Sequence, residues 1–293
     1  MKKLLAIILA VVMVLSLAAC GGGSAEPTKK PVTYPKHMGK LDEFPGGVSY
    51  EFYDWNEVAE GKVYGIEYVP AGFNKEGGEK LPMVICIHGQ GGNEQMLAGV
   101  ARQCASDGIA AITFGCRGAT ETTKSDDGSA SLTSRASDLG TMLDYAKTLP
   151  WVDQNKIYFY GESMGGMTIM LSAEYFKDDI AGVLIGASGF KGADMVDNEF
   201  PQFGIQEGQT WQERLLAYDG DYIMFHATGD KTFSTEASYS TYELYKSRNN
   251  GAICEFYEWE GGSHEALPDD GKADRALIIK QYILDGKITY TQS

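Results

Sequence analysis

The sequence predicts an α/β fold with a mostly parallel, twisted β-sheet and helices on both faces. Strand and helix signals alternate from about residue 48 to the end of the chain, a pattern typical of this class. Several strand segments are continuous apolar runs, as expected for strands that are buried on both faces. The chain has 293 residues, of which 43% are hydrophobic and 22% charged. These values favour one globular domain with a sizeable core.

Apolar and β-branched runs predict the strands. Residues 48–55 and 62–69 alternate aromatic and β-branched residues with polar ones and have a glycine between them, which predicts an antiparallel hairpin at the leading edge of the sheet. The other predicted strands are 81–88, 109–114, 157–160, 182–187, 222–227 and 253–259.

Helices are predicted where apolar residues recur with helical spacing. In one segment these residues are Leu139, Met142, Leu143 and Ala146. The predicted helices are 93–106, 134–149, 164–176, about 234–248 and 272–284.

Two stretches break this alternation. Residues 117–133 form a polar loop, and residues 191–220 are interpreted as a small cap insertion, since long irregular insertions in compact domains are usually functional or mobile. Two interpretations of the aromatic residues in the insertion stay open, as walls of a substrate cleft or as the core of the cap. These residues are Phe200, Phe203, Trp211 and Tyr218.

The N-terminus carries a targeting signal. Lys2 and Lys3 precede an apolar run at residues 4–17 that is too short for a stable spanning helix, which predicts a secretion signal. The sequence before Cys20 resembles the lipobox of bacterial lipoproteins, and this implies cleavage before Cys20 and a lipid on its thiol. An ordinary secretory signal is the alternative.

The domain boundaries follow from this signal. We predict a lipoprotein signal peptide at 1–19, a lipidated flexible tether rich in Gly, Ser and Pro at 20–40, and one domain at 41–293. The net charge of −15 argues against a nucleic-acid partner and against attraction to anionic lipid headgroups. The predicted location is therefore the outer face of a cell membrane, with the lipid on Cys20 as the anchor.

The four other cysteines show no C-x-x-C spacing, so neither a zinc site nor a thioredoxin-type site is expected. Cys86 and Cys254 lie in strand segments, where a thiol is usually a small core residue. A disulfide between Cys104 and Cys116 is compatible with an extracytoplasmic location. No metal or organic cofactor is predicted.

The segment Gly161-Glu162-Ser163-Met164-Gly165 has the form G-x-S-x-G. It follows a predicted strand and opens a predicted helix, which is the setting of a nucleophile elbow. Ser163 is therefore the candidate nucleophile, and a serine N-cap flanked by incidental glycines is the alternative.

An activated serine needs a base and an orienting acid. Asp230 follows the predicted strand 222–227, and His264 follows the strand 253–259, so both come after Ser163 in the chain order expected for such a triad. Among the four histidines, His37 lies at the tether, His88 belongs to another motif and His226 falls inside a buried strand. A turn-capping aspartate is the alternative for Asp230.

A glycine-rich loop, His88-Gly89-Gln90-Gly91-Gly92, follows the strand 81–88. Glycines there let backbone N–H groups approach a developing oxyanion. The predicted donors are the N–H groups of Gln90 and Met164. No phosphate-loop or dinucleotide-binding pattern is present in the sequence.

Together these motifs resemble the α/β-hydrolase superfamily, from about residue 48 to the last helix. The nearest groups are secreted acetyl, cinnamoyl or feruloyl esterases and the catalytic domains of prolyl-oligopeptidase-type and aminopeptidase serine peptidases. The resemblance implies hydrolysis of a carboxylic ester through an acyl-enzyme, on a small-molecule substrate or one linked to a polysaccharide or peptide. A peptidase with the same triad is the first alternative, and a non-catalytic solute-binding lipoprotein is the second.

Overall fold

A computed structural model of the chain describes residues 39–56, 61–119, 131–190 and 210–292. The predicted signal peptide, Cys20 and His37 lie outside the described residues, as do Phe200 and Phe203. None of the helices within these ranges is long and apolar enough to cross a membrane.

The described residues form nine strands and six α-helices. The strands are β1 Gly39–Phe44, β2 Gly47–Asn56, β3 Gly61–Pro70, β4 Leu81–Ile87, β5 Ala110–Phe114, β6 Val152–Glu162, β7 Gly182–Gly186, β8 Asp221–Ala227 and β9 Cys254–Trp259. The helices are α1 Ala98–Ser106, α2 Leu132–Thr148, α3 Met164–Phe176, α4 Trp211–Leu216, α5 Thr235–Lys246 and α6 Asp269–Lys280, which continues into a π-helical turn, Gln281–Asp285.

The strands form one sheet in the order β1-β2-β3-β5-β4-β6-β7-β8-β9. β1, β2 and β3 pair antiparallel, β3 pairs antiparallel with β5, and all pairs from β5 to β9 are parallel. One apolar core contains residues of α2, α3 and α5, and a second contains residues of α1 and α6. The predicted class, a mostly parallel sheet with an antiparallel leading hairpin and helices on both faces, is confirmed.

The differences from the predicted elements have local causes. β1 was not predicted because it is a polar, largely exposed edge strand without an apolar pattern, and it begins inside the segment interpreted as tether. α1 begins only at Ala98, since residues 93–97 form turns in which the Met96 N–H donates to Asn93. β6 extends well before its apolar run, because Val152 already pairs with Leu81.

The structure also answers two open points. Cys86, Cys104, Cys116 and Cys254 are not in disulfides, so the suggested bond between Cys104 and Cys116 is not formed. Within the cap insertion, the side chain of Trp211 is 4% exposed and stacks on Phe190, and Tyr218 is 1% exposed. Trp211 and Tyr218 are therefore residues of the domain core and not walls of a cleft.

Candidate active site

Ser163 lies at the sharp turn between β6 and α3. Its backbone angles are φ 55° and ψ −126°, a conformation that costs a non-glycine residue on the order of 1–3 kcal/mol. A side chain at Gly161 would lie 2.7 Å from the backbone of Gly165, and one at Gly165 would lie 2.2 Å from the Ile87 carbonyl oxygen. Glycine is therefore required on both sides of the serine, as the sequence interpretation assumed.

Hydrogen bonds to the neighbouring backbone hold this turn in place. The Ser163 N–H donates to the Gly186 carbonyl at the end of β7, at 3.0 Å, and the Ser163 carbonyl accepts the N–H of Met167, also at 3.0 Å. The strained turn is thus fixed from the adjacent strand and from the first turn of α3.

The structure brings Ser163, His264 and Asp230 into one hydrogen-bonded chain. His264 Nε2 is 2.9 Å from Ser163 Oγ, and His264 Nδ1 is 2.8 Å from Asp230 Oδ2. Because a carboxylate only accepts, Nδ1 carries the proton, and Nε2 is left as the acceptor for the serine hydroxyl. The arrangement can take a proton from Ser163 and stabilise the imidazolium that results.

The ends of two neighbouring parallel strands bring the acid and the base together. Asp230 follows β8 and His264 follows β9, and the Gly229 N–H donates to the Gly261 carbonyl at 2.8 Å. Asp230 Oδ1 accepts the N–H groups of Thr232 and Phe233, at 2.7 and 2.9 Å. These bonds orient the carboxylate so that its other oxygen, Oδ2, faces His264. Asp230 is thus both a turn cap and the partner of the histidine.

The glycine-rich loop after β4 lies against the elbow. A side chain at Gly89 would lie 3.1 Å from Ser163 Cβ, and one at Gly92 would lie 2.6 Å from Met96 Sδ. Gly91 has φ +70°, which favours glycine. Gln90 is an exposed residue of this loop, and Met164 is the first residue of α3. The N–H groups of Gln90 and Met164 remain the predicted oxyanion donors.

His88 holds the backbone of this loop in place through its ring nitrogens and is not a second base. Its Nε2 accepts the Cys116 N–H at 3.0 Å, so Nδ1 carries the proton and donates to the Gly89 carbonyl at 2.6 Å. Burial, followed by the charge of Arg135, lowers the pKa of His88 to about 4. His88 therefore stays neutral and structural at neutral pH.

His226 is likewise a packed residue, as the sequence predicts. It is fully buried in β8, and its Nδ1 lies 3.0 Å from Ser238 Oγ, which donates to the Ser188 carbonyl. Burial lowers the pKa of His226, which favours the neutral ring.

Sequence reasoning missed a polar cluster beside the elbow. Arg275 of α6 donates from Nη1 to Glu162 Oε1 at 2.9 Å and to the Tyr160 hydroxyl at 2.8 Å. Glu162 directly precedes Ser163, so the pair links the elbow to the helix that follows the His264 loop. No sequence pattern signals a pair separated by 113 positions.

Two cavities lie close to these residues. The larger, about 280 Å³, lies between α1 and α6, and Glu162 and Glu265 line it whereas Ser163 does not. The smaller, about 20 Å³, is lined by His264 itself. Residues 191–209, most of the predicted cap, lie outside the described residues. Within those ranges, no group of three or more His, Cys, Asp or Glu side chains is arranged to hold a metal ion.

The chain matches the family model described as serine aminopeptidase, S33, over residues 78–218. This segment contains the glycine-rich loop and the elbow but ends before Asp230 and His264. The chain is therefore similar to this family over slightly less than half of its length. No curated protein matches the sequence.

Solved structures with the same fold include one named as an esterase and one named as a dipeptidyl aminopeptidase. Est1E from Butyrivibrio proteoclasticus is 19% identical, with a TM-score of 0.60, over 80% of this chain and 98% of that one. A cold-adapted esterase from an Arctic intertidal metagenomic library is 18% identical, with a TM-score of 0.59, over 85% and 99%. A Bacteroides ovatus dipeptidyl aminopeptidase IV candidate is 16% identical, with a TM-score of 0.61, over 83% of this chain but 36% of that one.

Proposed function

We propose that the protein hydrolyses a carboxylic ester with Ser163 as nucleophile, His264 as general base and Asp230 as the orienting acid. The observation that carries the proposal is the unbroken chain of hydrogen bonds from Ser163 Oγ through His264 to Asp230, at 2.9 and 2.8 Å. These hydrogen bonds begin at a strained elbow, which presents the Ser163 hydroxyl at the carboxyl edge of the sheet.

The mechanism follows from the protonation states. His264 Nε2 accepts the Ser163 proton while Oγ forms a bond to the ester carbonyl carbon, and the carbonyl oxygen becomes an oxyanion. The imidazolium then protonates the leaving alkoxide as the ester bond breaks, which leaves an acyl-enzyme. Water, deprotonated by His264, attacks the acyl-enzyme, and the imidazolium then returns the proton to Ser163 Oγ as the acyl bond to Oγ breaks and the carboxylic acid leaves.

The oxyanion is assigned to the backbone N–H groups of Gln90 and Met164. The contact between Gly89 and Ser163 supports this assignment, since it brings the loop against the nucleophile. The N–H of Met164 belongs to the first turn of α3, where helix N–H groups point towards negative charge. Loss of one such donor typically lowers turnover about 100- to 1,000-fold.

An ester substrate is preferred to a peptide because the structure named as a cold-adapted esterase is matched over 99% of its chain, whereas the one named as a dipeptidyl aminopeptidase IV is matched over only 36%. A second structure of Est1E is titled with bound ferulic acid, which makes aromatic acyl esters one class to test. The matched family model, which is named for an aminopeptidase, supports peptide-bond hydrolysis as the second candidate.

We also propose that a lipid on Cys20 anchors the enzyme at the outer face of a bacterial membrane, so that it acts on an extracytoplasmic ester. The support is the sequence of residues 1–20 alone. Cys20→Ala should release the protein from the membrane fraction into the medium. An unchanged membrane fraction would exclude the anchor.

The proposed chemistry is tested on the full chain with a fluorophosphonate probe and with p-nitrophenyl esters of increasing acyl length. Ser163→Ala should abolish labelling and lower ester turnover by about 10⁴-fold or more. Labelling with turnover of aminoacyl amides but not of esters would favour the peptidase. Absence of labelling in the wild-type chain would contradict the triad and reopen the solute-binding alternative.

A further inference from the structure

Arg135 of α2 has a guanidinium group in the protein interior. The residue is 2% exposed and is the largest fully buried side chain among the described residues. Its Nη2 donates to the carbonyl oxygen of His88, and its Nε is buried without a hydrogen-bond partner. Within the described ranges Arg135 has no salt bridge to a carboxylate.

The acidic residue three positions after Arg135 in α2 already forms a salt bridge with another arginine. Asp138 is completely buried, accepts the Arg117 N–H at 2.7 Å and forms a salt bridge with the Arg117 guanidinium at 3.0 Å. His88 contributes no charge, because its two ring nitrogens hold the backbone of Cys116 and Gly89 in the neutral form. The described carboxylates therefore form no salt bridge with Arg135.

The His88 carbonyl group lies between the Arg135 guanidinium and the elbow. A side chain at Gly165 would lie 2.7 Å from the same His88 oxygen that Arg135 binds. A side chain at Gly89, the next residue in the chain, would lie 3.1 Å from Ser163 Cβ. Arg135 thus supports the oxyanion loop, residues 88–92, at the point where this loop meets the nucleophile.

A buried charge without a partner costs several kcal/mol of stability. The proposed reaction creates a negative charge beside Ser163 only in the transition state and the tetrahedral intermediate. A fixed cation nearby stabilises these states more than the neutral ester, which is the condition for faster turnover. The cost in the resting enzyme is then offset when the oxyanion forms.

We propose that Arg135 is a positioning residue of the oxyanion loop, and that its buried positive charge stabilises the anion formed on the substrate. The proposal rests on the esterase function above. Arg135 does not touch the substrate; it acts through the His88 carbonyl, which fixes the loop, and through its charge.

The test compares Arg135→Lys, which keeps the charge, with Arg135→Gln, which keeps only a donor, and Arg135→Met, which keeps neither. With p-nitrophenyl acetate, we expect kcat of the Lys variant to stay within about threefold of wild type. The Gln and Met variants should lose about tenfold to hundredfold in kcat with KM nearly unchanged. Inhibition by phenylboronic acid, whose serine adduct is a tetrahedral anion, should weaken by a similar factor.

Arg214→Met is the matched control. Arg214 of α4 is also buried, and it donates to the Leu171 carbonyl at 2.8 Å and pairs with Glu174 at 3.2 Å. Leu171 lies about two helical turns along α3 from Ser163. Its loss should lower the melting temperature but leave kcat of the folded enzyme and boronate inhibition unchanged.

Three results would overturn the proposal: wild-type kcat in the Gln and Met variants, an equal loss of kcat in Lys and Met, or a lower kcat with unchanged boronate inhibition. If circular dichroism shows that Gln and Met do not fold, Arg135→Lys decides alone. In that variant a tenfold loss of kcat contradicts the charge argument, and a kcat within threefold of wild type supports it. Failure of the esterase proposal itself is separate, because wild type would then show no turnover of p-nitrophenyl acetate, whether or not the fluorophosphonate labels it.

Discussion

The turn that carries Ser163 and the loop that carries His264 meet at one hydrogen bond but are held in different ways. The elbow is held by close backbone contacts, with no room for a side chain at Gly161 or Gly165. The His264 loop is exposed, contains Gly261 and Gly262 at φ +82° and +68°, and is closed by a single bridge between Ser263 and Ala266. Ser163 is thus positioned by steric exclusion together with two backbone hydrogen bonds, whereas His264 is positioned by hydrogen bonds of its side chain and its loop.

This difference fits the tasks of the two groups. A strained serine has to be kept from relaxing, and dense packing against β4 and β7 does this. In the proposed mechanism the histidine exchanges protons with the serine, the leaving group and water in turn. Its orientation is set by Asp230 and by the ring of Phe233, which stacks on it at 5.6 Å.

The largest effect is expected when packing at the elbow is broken. Gly165→Ala places a methyl group 2.2 Å from the Ile87 carbonyl oxygen, so the elbow and β4 cannot both keep their positions. We expect the free energy of unfolding to fall by more than about 4 kcal/mol and probe labelling to be lost. Gly99→Ala is the control, since a side chain there meets nothing within 4 Å. Urea unfolding and labelling check both variants, and normal labelling of Gly165→Ala would contradict the steric account.

A smaller effect is expected when the histidine loses its orienting acid. Asp230→Asn presents an amide to His264 Nδ1, which no longer fixes the productive tautomer, and kcat should fall about 10³- to 10⁴-fold with little change in the melting temperature. Asp221→Asn at the opposite end of β8 is the control. Its carboxylate binds the Ile253 N–H and the Tyr282 hydroxyl, so the variant should lose stability and keep kcat. Comparable turnover in Asp230→Asn and wild type would remove Asp230 from the mechanism.

The smallest effect concerns the pH dependence of the oxyanion loop beside the elbow. His88 has a pKa of about 4 in the folded chain, below its ordinary value of 6.5. The His88 ring therefore binds a proton below about pH 6.5 in the unfolded chain but only below about pH 4 in the folded chain. The free energy of unfolding should fall across this window, by on the order of 3 kcal/mol from this residue.

The matched variant for this prediction is His88→Asn. It should be less stable than wild type at pH 7.5, but its further loss of stability between pH 6.5 and 4 should be smaller. Urea unfolding at several pH values measures both slopes. Equal slopes in the two proteins would show that His88 does not remain neutral in the folded state.

The motifs that depend on neighbouring positions could be read from the sequence. The G-x-S-x-G segment specifies a strand, a tight turn and a helix within a few residues, and α3 begins and ends where its apolar pattern predicts. Asp230 and His264 could be selected because each follows a buried strand, and the carboxyl ends of parallel strands share one edge of the sheet. β1 could not be predicted, because its hydrogen bonds to β2 leave no trace in its own polar sequence.

The sequence by itself determined the class of fold, the order of its elements and the three residues that meet in the hydrogen-bonded chain, because local periodicity and chain order encode them. Only the tertiary structure decided that Trp211 and Tyr218 pack in the core, that Glu162 pairs with Arg275, and that Arg135 lies behind the oxyanion loop. These contacts join distant positions, and whether a charge is buried or paired depends on what the whole fold places around it.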